Sequence, residues 1–159
     1  MRQSSLARTA GFTLVELVVV IVIIGIVAAF AVPRFFDDRT FMERGYYEEL
    51  VAALKYSQKL AVASGCSVRV VIDGSGYVAR QQAAQAGSCN LARTTWSTNV
   101  VLADGDLLTG SMPFGVTLSS PVTLTFDALG STDLGANQDI GVGPFTFTLN
   151  AASGFIQAP

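Results

Sequence analysis

Residues 11–35 read GFTLVELVVVIVIIGIVAAFAVPRF. From Leu17 to Val32 the run carries no charge and no proline, yet Glu16 stands at its start, four residues after Phe12. Counted from Phe12 to Val32 it holds 21 residues. At about 1.5 Å of rise per residue that is about 32 Å of helix, enough for a hydrocarbon core of about 30 Å. A secretory signal would share the basic start, here Arg2 and Arg8. This run is longer than such a signal needs, and Pro33-Arg34-Phe35-Phe36 is not a small-residue cleavage site. A plain single-span anchor accounts for everything except Glu16, because a carboxylate inside a span costs a few kcal/mol and is usually paired or functional. Glu16 at headgroup level, wetted near the helix start, is the other reading that hydropathy leaves open.

Outward from this run, the 159 residues suffice for one domain plus an appendage. Hydrophobic residues make up 50% of the chain and charged ones 14%, and the apolar excess is not confined to the run, so a packed core is expected beyond it. Histidine is absent, which excludes a histidine-based catalytic triad and any His-ligated metal. All ten Lys and Arg residues lie at or before Arg93, while Asp104, Asp106, Asp127, Asp133 and Asp139 follow it. A half without a single cation cannot neutralise phosphates, so nucleic acid is not an expected partner.

Beyond Pro33, which lacks an amide donor and bends or stops a helix, the text turns amphipathic. Thr40 and Glu43 read as a capping box. Phe41, Tyr47, Leu50, Val51, Leu54, Ala61 and Val62 recur with helical spacing up to Gly65, a C′ glycine. The spacing predicts a helix over 41–64, within an amphipathic segment 37–64, whose apolar stripe covers a sheet. Asp37-Asp38 favours its N-terminus electrostatically. The region 65–159 is β-patterned. A hairpin is expected from 66–72 and 77–82 about the turn Asp73-Gly74-Ser75-Gly76. Further strands are expected at 115–118, 122–126, 145–149 and 154–157. In VTLTF and FTFTL an apolar face alternates with a threonine face, which suits antiparallel sheets with one face on a core. Gly-rich connections are expected at 83–90, 103–114 and 129–144.

The string Gly11-Phe12-Thr13-Leu14-Val15-Glu16, behind a basic leader, resembles the class III signal of type IV pilins and pseudopilins. Gly25 and Pro33 fall where that family tends to place a glycine and a helix-bending proline. The resemblance implies a leader 1–11 removed by a prepilin peptidase after Gly11, methylation of the new N-terminus on Phe12, and retention of the segment 12–36. It implies an inner-membrane anchor with a periplasmic domain 65–159, later transferred by an inner-membrane assembly platform into a pilus or pseudopilus beside other pilin or pseudopilin subunits. The new amine on Phe12 would approach Glu16 of another subunit, or of its own while still in the membrane. Burying the two charges as a pair offsets much of what each alone would cost, so Glu16 would set the assembly register. The expected fold class is α+β: a type IV pilin-like fold with a long apolar helix, then an amphipathic helix packed on antiparallel sheets.

The order of helix, early hairpin and late strands, with Phe126-Asp127-Ala128-Leu129-Gly130, resembles the GspH/FimT family of minor pilins and pseudopilins. The helix text RGYYEELVAALKYSQKLAVASGCSV is most similar to a minor subunit of mannose-sensitive haemagglutinin pili. The function this implies is a minor pilin that primes or modulates assembly. A minor pseudopilin of type II secretion is the alternative. Some FimT-type members bind DNA through a C-terminal Gly-Arg-x-Arg; the matching place here reads Gly154-Phe155-Ile156-Gln157 and has no arginine, so that role is not carried over. A membrane-tethered enzyme fits the anchor and the sheet but finds no nucleophile–base set. No catalytic residue, metal or cofactor is implied.

A periplasmic domain lies in an oxidising compartment, where Cys66 and Cys89 are expected to form a structural disulfide; free thiols are the other reading. Closing a loop of about 24 residues contributes on the order of 3 kcal/mol. Asp104-Gly105-Asp106, or Asp133 with Asp139, offers either a calcium site or plain turns.

Overall fold

The computed structural model describes residues 12–31, 38–85, 88–89 and 95–158. The chain divides into two compact units, Met1–Asp38 and Arg39–Pro159.

In the first unit, α1 spans Leu14–Ala31. Valine, isoleucine and leucine occupy every face of it, so it has no polar side to turn to water. All its described side chains are exposed. A helix apolar all round belongs in a bilayer or among other helices. Its 18 residues amount to about 27 Å. Among the described residues no helix is long and apolar enough to cross a membrane. Val32, which would extend the apolar run, and Pro33 lie outside the described residues.

In the second unit, α2 spans Asp38–Ser64 and stops at Gly65, whose φ of +67° is the left-handed cap that glycine adopts without strain. Tyr46, Tyr47, Leu50, Val51, Ala53, Leu54, Ser57 and Ala61 form its buried stripe. Two residues expected on that stripe are not there. Phe41 is 82% exposed and Val62 is 51% exposed. At about 100° per residue, Phe41 lies about 180° and Val62 about 120° around the helix from Leu50. Nor does Thr40 cap the helix, which is already under way at Asp38. Glu43 instead takes a bond from Arg39 Nε at 3.2 Å and is buried. It lies against Gly143, where an added Cβ would meet the carboxyl carbon at 2.5 Å.

Ten strands follow. β1 (Val68–Asp73) and β2 (Gly76–Gln81) form the expected hairpin, with Asp73 paired to Gly76 across a two-residue turn. β3 (Ala84–Gln85) and β4 (Ser88–Cys89) make a small ribbon. β5 (Thr98–Asn99) and β6 (Thr109–Ser111) share the outer edge of β2. β7 (Val122–Phe126) pairs with the other edge of β1. β8 (Gln138–Val142), β9 (Phe145–Leu149) and β10 (Ile156–Gln157) form a second antiparallel sheet in the order β10-β9-β8.

The expected strand at 115–118 is not one. Gly115 has a φ of +85° in a turn, and only the end of the segment runs along β8. There Leu118 bridges Val142, and Ser119 N–H donates to the Gly141 carbonyl at 2.9 Å. The connections expected at 83–90, 103–114 and 129–144 hold β3 with β4, β6 and β8 respectively. At its N-terminal end, the last expected strand is a turn: Gly154 has a φ of +64°, and pairing begins at Ile156.

One core joins α2 to both sheets. Tyr46 meets Tyr77 of β2 with ring centroids 6.3 Å apart. Tyr47 meets Phe145 and Phe147 of β9 at 5.6 and 5.9 Å. Adjacent tyrosines on one helix thus hold one sheet each. The alternation in β7 and β9 works as expected: Leu124, Phe126, Phe147 and Leu149 are buried while Thr123 and Thr146 face solvent.

These tyrosines give the core a pH limit. Burial, with the negative charges of Glu49 and Asp73, pushes Tyr46 from its usual 10 up to about 12. Burial and the bond it donates to Glu49 at 2.7 Å push Tyr77 up as well. A phenol that holds its proton more tightly when folded contributes stability that is complete below pH 10. It is lost as pH climbs from 10 towards 12, where only the unfolded chain ionises freely. The urea midpoint should therefore be flat from pH 7 to 9 and fall above 10. The Tyr46 hydroxyl is buried and finds no partner among the described residues. Tyr46→Phe should flatten part of that fall at little cost near neutrality; an unchanged slope would remove Tyr46 from the account.

Candidate functional site

The beginning of α1 is built by its own sequence. Thr13 precedes the first helical residue, and its Oγ1 accepts the Glu16 N–H at 3.2 Å. This satisfies one of the amides that a helix start leaves unpaired. Glu16 is therefore the third residue of the helix, exposed, where the helix dipole favours an anion. Thr13-x-x-Glu16 has the spacing of a capping box, and it is here, not at Thr40, that a threonine caps a helix. Phe12 lies two residues before the helix and is 73% exposed. Gly25 lies inside α1 with nothing within 4 Å of where a Cβ would be, so that face is open to a neighbour. Gly11 and Pro33 lie outside the described residues.

Cys66, just past the end of α2, is joined to Cys89 of β4 in a disulfide with Cα atoms 5.3 Å apart and a sequence separation of 23. The bridge ties the small ribbon to the C-terminal end of the helix. Replacing both cysteines with serine should lower the unfolding free energy by about 3 kcal/mol, read from urea curves without reductant. A loss below about 1 kcal/mol would mean that the loop is already constrained when unfolded.

The place compared with a DNA-binding motif is structural. Gln58 Nε2 donates to the Gly130 and Ser153 carbonyls at 2.9 and 3.0 Å, and Gly154 packs against Gly130 and Gln58. The aspartates weighed as calcium ligands serve the backbone and their neighbours. Asp104 accepts the Asp106 N–H at 3.1 Å, Asp133 the Thr125 N–H at 2.7 Å, and Asp139 the Thr148 hydroxyl at 2.6 Å. Among the described residues no three His, Cys, Asp or Glu gather as a metal site.

One cluster escaped the sequence reading. Arg69 and Arg80 are directly opposite on β1 and β2, and Val71 and Val78 are the next such pair on that face. Arg69 stacks over the Trp96 ring at 4.3 Å. The five side chains line an open cleft of about 350 Å³. The signal was available: once Asp73 and Gly76 close the hairpin, the register places 69 beside 80.

An exposed apolar helix with a carboxylate at its start, ahead of a helix-on-sheet domain, defines a pilin-type subunit. A prokaryotic N-terminal methylation motif matches residues 6–32. The description of the type II transport protein GspH matches residues 47–157, and the chain belongs to that family. Its members are pilin and pseudopilin structural subunits rather than enzymes, and proteins of the pilin family assemble with other pilin subunits.

Among curated proteins, the type IV narrow pilus major component PilA5 of Thermus thermophilus is 44% identical over 54 residues, 34% of this chain and 47% of that one. A fimbrial protein of Pseudomonas aeruginosa is 46% identical over 57 residues, 35% of this chain and 36% of that one. The matches span less than half the length of these relatives. Among solved structures, the type IV minor pilin FimU of Pseudomonas aeruginosa aligns with a TM-score of 0.48 and 18% identity, covering 73% of this chain and 91% of that one.

Proposed function

We propose that the chain is a minor pilin of a type IV pilus of the mannose-sensitive haemagglutinin kind, which primes or modulates filament assembly. The observation that carries this reading is the methylation motif on a segment whose helix starts at Leu14, two residues after Phe12, with Glu16 in its first turn. A prepilin peptidase cuts after Gly11 and the Phe12 amine is methylated. The apolar segment 12–36 holds the chain in the inner membrane with 65–159 in the periplasm, until the assembly platform moves it into the filament. There α1 exchanges lipid for neighbouring helices, and Glu16 pairs with a Phe12 amine. Gly25 admits a close neighbour, and Pro33 bends the segment. A second reading, a minor pseudopilin of type II secretion, is favoured by the function in the family's own description.

A clean deletion separates the two when surface pili are counted by electron microscopy and secreted enzyme activity is assayed in the medium. Loss of pili with secretion intact supports the minor pilin. Loss of secretion with pili intact overturns it for the pseudopilin.

A further inference from the structure

The outer face of the first sheet carries a charge arrangement that the chain itself leaves unbalanced. Arg69 and Arg80 are cross-strand partners, and like charges placed so are destabilising. Among the described residues neither belongs to an ion pair; the salt bridges there are Arg39–Glu43 and Arg44–Glu48. No acid occurs between Asp73 and Asp104, so the connection that carries Trp96 brings none. Asp73, on the same strand as Arg69, holds its carboxylate on the Ser75 N–H and hydroxyl. Asp133, beside β7, is taken by the Thr125 N–H. The Arg69 guanidinium is braced, with its Cζ over the Trp96 ring and its Nε 3.5 Å from the Thr125 hydroxyl. Beside the two cations, at the next register pair on the same face, Val71 and Val78 complete the lining of the cleft.

We propose that this cleft receives a carboxylate-bearing segment of a different pilin-type subunit, an inference that rests on the minor-pilin reading. Two guanidinium forks beside an aliphatic pair match carboxylates carried on an apolar loop, and arginine and tryptophan are the residues that anchor interfaces. Holding both cations side by side in the free subunit costs what the partner's acids relieve, so docking is favoured over remaining alone. Nucleic acid fits the same face poorly. Two arginines neutralise two phosphates, and about 12-fold is all such binding would lose between 50 and 200 mM salt, against ~10³–10⁵-fold for proteins making 6–10 phosphate contacts. The indole, covered by Arg69, is also not a free platform for a base.

The test uses the full chain in its own host. Arg69→Glu/Arg80→Glu should leave chain level and the disulfide unchanged and reduce its recovery in sheared filaments by at least tenfold. Lys55→Glu/Lys59→Glu on exposed positions of α2 should do neither. Arg80→Lys keeps the charge and supplies an amine. A water-soluble carbodiimide applied to intact filaments should then join that amine to an Asp or Glu of another pilin subunit, identified by mass spectrometry. Wild-type recovery of the double reversal overturns the proposal. So does an adduct to this chain's own acids, or none at position 80. Lost DNA uptake with normal filaments would overturn it in favour of nucleic acid. If the deletion strain still makes pili, the minor-pilin reading itself has failed, which is a different result.

Discussion

Gly11→Val should leave the chain uncut, membrane-held and absent from filaments. The expected product on an N-terminal blot is a precursor that keeps all eleven leader residues. A β-branched side chain replaces the one residue with none at the bond to be cut. Two consequences then compound. Without cleavage Phe12 has no amine, so Glu16 of a neighbour would enter the filament core as an unpaired carboxylate, a loss of about 3–5 kcal/mol when one partner of a buried pair is missing. The leader also keeps Arg2 and Arg8 joined to the apolar run, and each carries a charge that the core between helices cannot solvate. Retention in the membrane should be unaffected, because the apolar residues that anchor the chain are unchanged. Normal processing of the variant, or uncut chain recovered in filaments at wild-type level, would sink the prepilin reading of this stretch.

The architecture was legible where one physical signal dominates. An unbroken apolar run can only be a helix for lipid or for other helices. Strict alternation in VTLTF and FTFTL placed β7 and β9, and Asp73-Gly-Ser-Gly76 fixed a hairpin. The misses fell where the signal is shared between segments. β8 reads QDIGV, with an acid and a glycine where a strand is expected to be apolar. It holds because β9 and residues 117–119 supply hydrogen bonds on both its edges. β5 and β6 are two and three residues long, too short to alternate, and exist because β2 offers an edge. Phe41 looked like core by residue type, although its angle around α2 from Leu50 argued otherwise. Of the site, Glu16 and the cysteines were readable from type and spacing. The Arg69–Arg80–Trp96 face needed the register of one hairpin combined with a loop more than a dozen residues away, which no local pattern encodes.

Glu16→Val and Glu16→Gln, taken together, decide what the carboxylate is for. The structure gives it a local part: its N–H is bonded to Thr13 Oγ1, and its charge sits at the favourable end of the helix dipole. That part is worth about 0.3–1 kcal/mol. Glutamine gives up the charge but still serves as the third residue of a capping box, and the backbone bond to Thr13 stays, so its local cost is within that range. The assembly part is larger. Removing the carboxylate leaves the Phe12 amine of another subunit buried without a counter-charge, at a cost of about 3–5 kcal/mol, a factor of a hundred or more in equilibrium. Glutamine cannot restore that charge. Both variants should therefore be cleaved, reach the membrane at wild-type level, and fall at least a hundredfold in filaments when co-expressed in competition with the wild-type chain. If glutamine assembles like wild type while valine does not, the carboxylate is a helix start and nothing more. If both assemble, register is set elsewhere along α1, by the packing of its aliphatic faces.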